Sequence, residues 1–195
     1  MTESASTQRL RATFAIYLAL IVAAVFVGPR IVGSFTYYVT GVLGFLCVAL
    51  ACLGRIWCSA FIAGHKDATL VRTGPYAACR HPLYSLSVLG ALGLGLTTRS
   101  TVLCAIVVLL ILALAVAAAA REEKFLAGAF PAEFNAYVVA TPNKWWPTSW
   151  RTALPERIDM NPAVFWKAFL DAGAFFVLWL LVTIATEYRL HSPPM

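Results

Sequence analysis

One short stretch of this sequence concentrates residue types that bind ligands. Residues 70–84 read LVRTGPYAACRHPLY and stand between long apolar runs. Pro82 suits the first turn of a helix, where its missing N–H would have no partner. The free N–H groups of such a turn, together with the helix dipole, favour an anion. Because Arg80 and His81 directly precede this turn, the sequence predicts a place that holds a carboxylate or a phosphate.

A second polar group, Arg121-Glu122-Glu123, follows the next two apolar runs. Its glutamates offer negative charge to an ammonium, a sulfonium or a ribose hydroxyl. A ligand with a carboxylate, an ammonium and a sulfonium would match both groups, and S-adenosylmethionine is such a ligand. Successive helical residues point about 100° apart. We therefore expect only one of the two glutamates to face the ligand directly, with Glu123 favoured.

The composition is that of an integral membrane protein. Hydrophobic residues make up 61% of the 195 residues and charged residues only 12%, about half the share in soluble domains. The 5 cysteines form no C-x-x-C pair, so we interpret them as reduced packing residues and predict no metal site. The net charge of +6 comes from residues that flank apolar runs, which favours anionic lipid headgroups over nucleic acid as the partner.

The apolar runs predict an all-α polytopic membrane protein with about five transmembrane helices. We treat residues 1–195 as one membrane domain with three parts. They are transmembrane helices 1 and 2 (12–63), a catalytic core of loop, helical hairpin and cytoplasmic cap (64–147), and a linker with an extra C-terminal helix (148–195). Most of the 15 Lys and Arg residues fall on one side of this arrangement, which predicts that the N-terminus and the site face the cytoplasm. The two polar groups then emerge on the same face, at the two ends of one hairpin.

The two groups also carry a family resemblance. The pattern Leu70-Val71-x-x-Gly74-Pro75-Tyr76-x-x-x-Arg80-His81-Pro82-x-Tyr84, followed by Glu122-Glu123-x-x-Leu126-x-x-x-Phe130-x-x-Glu133-x-x-x-Tyr137, resembles the isoprenylcysteine carboxyl methyltransferase family. Phospholipid N-methyltransferases share much of it. The resemblance spans roughly residues 31–147, and it implies a membrane-embedded methyltransferase that uses S-adenosyl-L-methionine on a lipophilic substrate entering from the bilayer.

Roles for individual residues follow from the resemblance. His81 and Tyr84 would bind the methionine end of the cofactor, Leu70 and Val71 would line the adenine pocket, and Glu122 and Glu123 would close the cofactor site. The remaining residues that we assign to cofactor binding are Gly74, Tyr76 and Pro82. Arg80, Arg121 and Glu122 are the predicted catalytic residues.

One departure from the isoprenylcysteine enzymes concerns the acceptor. Those enzymes often have an arginine one turn ahead of the paired glutamates, where it orients the substrate carboxylate, and this sequence has Ala118 there. Arg121 is the substitute that an adjacent helix face offers. A carboxylate acceptor is preferred, and a phospholipid or other lipid amine is the alternative, with Glu122, Glu123 or His81 as base candidates. An NADPH-dependent protein resembling sterol reductases, or a non-catalytic membrane protein, are the remaining alternatives.

Two other patterns favour structural roles. The glycines of Gly90-x-x-Gly93-x-Gly95 lie in an apolar run that no strand precedes, which indicates close helix packing and not a nucleotide loop. Asp171 lies one turn after Lys167, and we expect these two residues to form an ion pair.

Overall fold

Seven helices make up the regular structure of the part of the chain described by the computed structural model, residues 3–27, 29, 32, 35–64, 69–147 and 155–191. The helices are α1 Glu3–Val27, α2 Phe35–Ile62, α3 Pro75–Ala78, α4 Pro82–Thr97, α5 Thr101–Ala129, α6 Pro131–Ala140 and α7 Pro162–His191. These residues include no strand, so the expected all-helical class is confirmed.

Three of the helices, α2, α5 and α7, are long and apolar enough to cross a membrane. Two shorter apolar helices accompany them, residues Arg11–Val27 of α1 and α4. Large apolar side chains point outward from the long helices, as in Leu50 (59% exposed), Leu109 (63%) and Val177 (60%). Such surfaces suit a hydrocarbon environment, and the chain is a membrane protein. The count of five spans stays a prediction.

The long helices form a closed bundle around one apolar core. In this bundle α4 packs between α2 and α5, α1 packs against α5 and α7, and α7 packs against α2. The core includes Leu20 of α1, Val48 of α2, Leu94 of α4, Val107 of α5 and Val182 of α7. The C-terminal helix, predicted as an addition outside the family resemblance, is therefore an integral part of the bundle.

Three glycines let neighbouring helices approach α4 closely. A Cβ at Gly93 would lie 2.6 Å from the carbonyl oxygen of Gly44 in α2. A Cβ at Gly90 would lie 2.3 Å from the ring of Phe175, and one at Gly95 would lie 2.7 Å from Cα of Cys104. The packing role predicted for these glycines is confirmed. Since α4 is packed closely on three sides, its first turn has a fixed position.

The predicted hairpin of α4 and α5 is present. A tight turn joins the two helices, and Arg99 within it has a positive φ of 53°. The hydroxyl of Ser100 caps α5 by accepting a bond from the backbone N–H of Leu103. As predicted, α5 continues beyond its apolar part until Pro131 begins α6. The end of α5 consequently returns to the level at which α4 begins.

Other predictions have different outcomes. No ion pair joins Lys167 and Asp171, both of which the structure describes, so that expected pair is wrong. All five cysteines are free thiols. The side chains of several residues in the charge count lie outside the described residues, and the cytoplasmic orientation stays a prediction. These residues are Arg9, Arg30, Lys66 and Arg151.

Candidate functional site

The site is built where the start of α4 meets the segment after α6. The backbone N–H of Arg80 donates to the carbonyl oxygen of Asn143 at 3.0 Å, and that of His81 donates to Lys144 at 3.0 Å. The hydroxyl of Ser85 donates to the carbonyl oxygen of Trp145 at 2.6 Å. Residues 141–147, which we call the cap segment, therefore run alongside the start of α4 and fix the backbone that carries Arg80 and His81.

The carboxylate of Glu123 joins the two predicted motif halves. Its Oε1 accepts from Arg80 Nε at 3.2 Å and lies 3.0 Å from His81 Nε2, and its Oε2 accepts from Lys144 Nζ at 2.8 Å. Arg80 also donates to the carbonyl oxygens of Thr141 (2.9 Å) and Pro142 (3.2 Å). Hydrogen bonds to charged groups are stronger than neutral ones. We call Arg80, His81, Glu123 and Lys144 the Glu123 cluster.

Glu122 lies on the other side of the same imidazole. Its Oε2 is 3.8 Å from His81 Nδ1, and its side chain is 38% exposed. The ring of His81 lies between the two carboxylates, and each reaches it from its own direction. Which glutamate contacts the ligand stays a prediction. Among the described residues Glu122 makes no hydrogen bond, whereas both oxygens of Glu123 are occupied.

His81 is deeply buried, with 5% of its surface exposed. Its ring centroid lies 5.6 Å from that of Tyr84 and 5.7 Å from that of Trp145. Burial lowers the pKa of His81, although the bond with Glu123 and the charge of Glu122 oppose this shift. The imidazole is therefore neutral at neutral pH. With Nε2–H donating to Glu123, Nδ1 keeps a free lone pair.

A hydrogen bond between two tyrosines connects α6 with the short helix α3. The hydroxyl of Tyr137 donates to the carbonyl oxygen of Tyr76 at 2.7 Å. The hydroxyl of Tyr76 itself is buried and has no hydrogen-bond partner. Gly74 has a φ of 58°, and a Cβ there would lie 2.3 Å from the ring of Phe61. Glycine is thus required for the loop to lie over the end of α2.

A cavity of about 550 Å³ opens beside these groups. Most of the predicted site residues line it, namely Leu70, Val71, Tyr76, Arg80, His81, Tyr84, Glu122 and Glu123. Three do not. Gly74 and Pro82 are buried and shape the backbone, while Arg121 is exposed and donates from Nε to the carbonyl oxygen of Ala117 in its own helix at 3.1 Å. The structure thus does not bring the predicted catalytic Arg121 to the cavity.

The cavity also has walls that the motifs did not indicate. Apolar side chains reach it from α1, α5 and α7, among them Phe14, Ile111, Leu114 and Leu178. Charged residues from outside the motifs line it as well, Arg55 of α2 and Asp171 of α7. A lone arginine inside an apolar run is a signal that could have identified Arg55. No comparable signal marked Lys144 as a partner of Glu123.

The described residues include no group of three or more His, Cys, Asp or Glu side chains placed to hold a metal ion.

Comparisons with known proteins agree with the paired motifs. Residues 42–133 match the sequence model of the phospholipid methyltransferase family, which confirms the predicted resemblance to membrane methyltransferases. A cobalt-zinc-cadmium resistance protein of Cupriavidus metallidurans is 47% identical over 100 residues, and a nickel-cobalt-cadmium resistance protein of Alcaligenes xylosoxydans xylosoxydans is 43% identical over 100 residues. Each alignment covers 51% of this chain and 46% of the relative, so the match spans less than half of the relatives' length. No solved structure matches significantly.

Proposed function

We propose that this chain, whose residues 42–133 match the phospholipid methyltransferase family, transfers a methyl group from S-adenosylmethionine to a lipophilic acceptor in the membrane. The observation that carries the proposal is one cavity with two kinds of wall. Its polar wall joins Arg80 and His81 with Glu122 and Glu123, and its apolar wall comes from helices that face lipid. An enzyme that binds a charged cofactor beside a hydrocarbon-rich acceptor needs a polar wall and an apolar wall.

The residues present fit S-adenosylmethionine. A cavity of about 550 Å³ falls in the usual range for small-molecule sites, about 300–1,000 Å³. Glu122 keeps a carboxylate without a hydrogen-bond partner in the described structure, which suits an ammonium or a ribose hydroxyl. Leu70 and Val71 are half-buried apolar residues that suit the adenine ring. When bound, the sulfonium supplies an electrophilic methyl group.

The Glu123 cluster is proposed to keep this wall rigid. Glu123 binds cations from the loop before α4 and from the cap segment, so its charge is neutralised by the protein itself. Glu122 then becomes the residue that contacts the ligand, which reverses the preference for Glu123 expected from the sequence. Well-oriented reactants in a site closed to water can gain about 7–11 kcal/mol over a reaction in solution. The role of the Glu123 cluster is to hold the cavity in one geometry.

A carboxylate is the acceptor we favour, because a carboxylate is already a nucleophile and needs no base. A lipid amine would first have to lose a proton, and the free Nδ1 of neutral His81 lines the cavity and could accept it. The apolar wall of Ile111, Leu114 and Leu178 would contact the acceptor's hydrocarbon chain in either case. We further propose that the cavity opens toward the cytoplasm, as the distribution of Lys and Arg predicts.

The names of the relatives indicate a biological setting. Both are called metal resistance proteins, and the matched part of this chain is 47% identical to the first. We propose that the methylation supports resistance to such metals. Deletion of the gene should reduce growth on cobalt, zinc or cadmium salts, and wild type but not Glu122→Gln should restore it. Full restoration by the variant would instead favour a non-catalytic role.

The direct test is cofactor binding. Isothermal titration of the detergent-solubilised protein with S-adenosylhomocysteine should give saturable binding that is weakened in Glu122→Gln and unchanged in Glu133→Gln. Glu133 is the matched control, because it is an exposed carboxylate that does not line the cavity. Transfer of labelled methyl groups from S-adenosylmethionine to a membrane lipid extract would then show catalysis. If the folded protein binds NADPH and not S-adenosylhomocysteine, the proposal is wrong.

A further inference from the structure

Arg55 brings a positive charge into the cavity at a place that no motif predicts. It belongs to α2, one of the candidate membrane spans, and it lines the cavity. One terminal nitrogen, Nη1, donates to the Ser87 hydroxyl at 2.6 Å and lies 3.4 Å from the carbonyl oxygen of Leu83. The guanidinium lies 5.6 Å from the centre of the Phe175 ring. These contacts orient the side chain but contribute no negative charge.

Two residues that line the cavity each carry a buried donor with no hydrogen-bond partner in the described structure. They are Nε of Arg55 and the hydroxyl of Tyr76, and both residues line the cavity. Leaving a buried donor unpaired costs about 1–3 kcal/mol. Two unpaired donors, one of them cationic, are a fitting arrangement for an oxygen anion.

We propose that Arg55 and Tyr76 bind a carboxylate or phosphate oxygen of the methyl acceptor. This inference rests on the proposed function, and it replaces the predicted Arg121 with an arginine from a different helix. It also gives the hydroxyl of Tyr76, a residue predicted to bind the cofactor, a contact with the acceptor.

The surroundings of Arg55 place the hydrocarbon part of the acceptor as well. Tyr17 of α1 and Phe175 of α7 pack edge to face at 6.1 Å, and both line the cavity next to Leu178. All three residues lie outside the segment 42–133 that matches the family. The acceptor's anionic group and its hydrocarbon chain would therefore be recognised largely by α1, α2 and α7, while the motif residues hold the cofactor.

Asp171 places a negative charge near Arg55 that would weaken the binding of an anion there. It lines the cavity, is exposed, and interacts electrostatically with Arg55 without forming an ion pair in the part of the chain that the structure describes. An anion bound at Arg55 would be repelled by the carboxylate of Asp171. Removing that charge should therefore tighten the binding of an anion, which gives the proposal a test of opposite sign.

The experiment measures binding of radiolabelled hexadecanoate to the immobilised full-length protein in a non-ionic detergent. Unlabelled hexadecyl phosphate, hexadecylamine and hexadecanol serve as competitors with the same chain. We expect hexadecyl phosphate to displace the label and the amine and the alcohol to displace it poorly. Arg55→Gln should raise the Kd for hexadecanoate about tenfold or more, because hydrogen bonds to charged groups are strong. Tyr76→Phe should raise it several-fold, and Asp171→Asn should lower it.

Controls separate this site from the rest of the protein. Arg72→Gln removes an exposed arginine that does not line the cavity, and it should change nothing. Arg55→Lys keeps a charge and should restore part of the binding. Where Arg55→Gln fails to give a monodisperse protein, Tyr76→Phe carries the test, since the hydroxyl that it removes has no hydrogen-bond partner in the structure.

The source of the anion is decided by titration with S-adenosylhomocysteine. Arg55→Gln should leave that Kd unchanged within about twofold, which assigns the oxyanion to the acceptor. Loss of S-adenosylhomocysteine binding in Arg55→Gln would assign Arg55 to the cofactor's carboxylate and overturn the proposal. Equal or stronger displacement by hexadecylamine, or no binding of hexadecanoate to wild type, would also overturn it. Arg55-dependent binding of hexadecanoate by a protein that binds no S-adenosylhomocysteine would refute the methyltransferase function and leave the anion site standing.

Discussion

Replacing Glu123 by Gln tests the interpretation that the Glu123 cluster holds the site together. The substitution keeps a carbonyl oxygen that can accept from Arg80 and His81. It removes the negative charge and can place an amide N–H₂ against Lys144 Nζ, which lies 2.8 Å from Oε2 in the wild type. The positive charges of Arg80 and Lys144 then have no carboxylate between them. We expect a less stable protein in which every other cavity-lining residue is unchanged.

The size of the effect follows from the exposure of the partners. A hydrogen bond to a charged group contributes about 1.5–3 kcal/mol when buried, and an exposed ion pair about 0.2–1 kcal/mol. The side chains of Lys144 and Glu123 are 33% and 22% exposed, so solvent screens their attraction in part. The bond between Lys144 and Glu123 should therefore contribute about 1 kcal/mol. The loss for the whole substitution should be about 1–3 kcal/mol of unfolding free energy.

The assay is reversible unfolding in mixed detergent micelles, titrated with sodium dodecyl sulfate. A double-mutant cycle of Glu123→Gln with Lys144→Met isolates their coupling, which we expect to be about 1 kcal/mol. Glu133→Gln is the matched control and should change stability little, since it alters an exposed carboxylate in the first turn of α6. A coupling energy below about 0.3 kcal/mol would mean that the two sites are independent, and the reasoning about the cluster would be refuted.

Three further predictions concern neighbouring parts of the structure. Glu122→Gln should raise the Kd for S-adenosylhomocysteine about tenfold in calorimetry while the unfolding free energy stays within about 0.5 kcal/mol; a loss of stability with unchanged affinity would contradict this. In the same assay Gly93→Ala should lower the free energy of unfolding by about 1–3 kcal/mol, because its Cβ would lie 2.6 Å from the carbonyl oxygen of Gly44. The control Gly173→Ala should not lower it, because no atom lies within 4 Å of the added Cβ. Burial lowers the pKa of His81, so the folded state prefers the neutral ring. This preference contributes its full stability above the ordinary histidine pKa of about 6.5, and that stability is lost as the pH falls below it. Between about pH 7.5 and 5.5 the free energy of unfolding should therefore fall in wild type, and it should fall less in His81→Gln. Equal pH dependence in the two proteins would refute this prediction.

The sequence predicted the helical class and the meeting of the two motifs through local rules. Long apolar runs require helices, because a bilayer offers backbone groups no other hydrogen bonds. A short turn between two such runs returns the chain to its starting level, so the predicted hairpin had to bring Glu122 and Glu123 back toward His81. The packing role of the α4 glycines was also predictable from local sequence. They lie in an apolar run that no strand precedes, and a glycine loop that binds phosphate would follow a strand.

Predictions failed where a side chain's partner lies far along the chain. Asp171 and Lys167 are one turn apart, yet Asp171 lines the cavity and the two form no ion pair. The expectation that one glutamate contacts the ligand stays a prediction, and the structure adds that His81 lies within reach of both carboxylates.

By itself the sequence determined that this is an all-helical membrane protein with two polar motifs at the two ends of one helical hairpin. Composition, apolar runs and the spacing of residue types carry that information, because these features can be read from the chain without knowing how the helices pack. Only the tertiary structure decided that Lys144 neutralises Glu123, that Arg121 stays outside the cavity, and that Arg55 enters it. Those outcomes depend on how closely helices approach and at which rotation they pack. Contacts of α4 with α2, α5 and α7 set both quantities, and no local pattern encodes them.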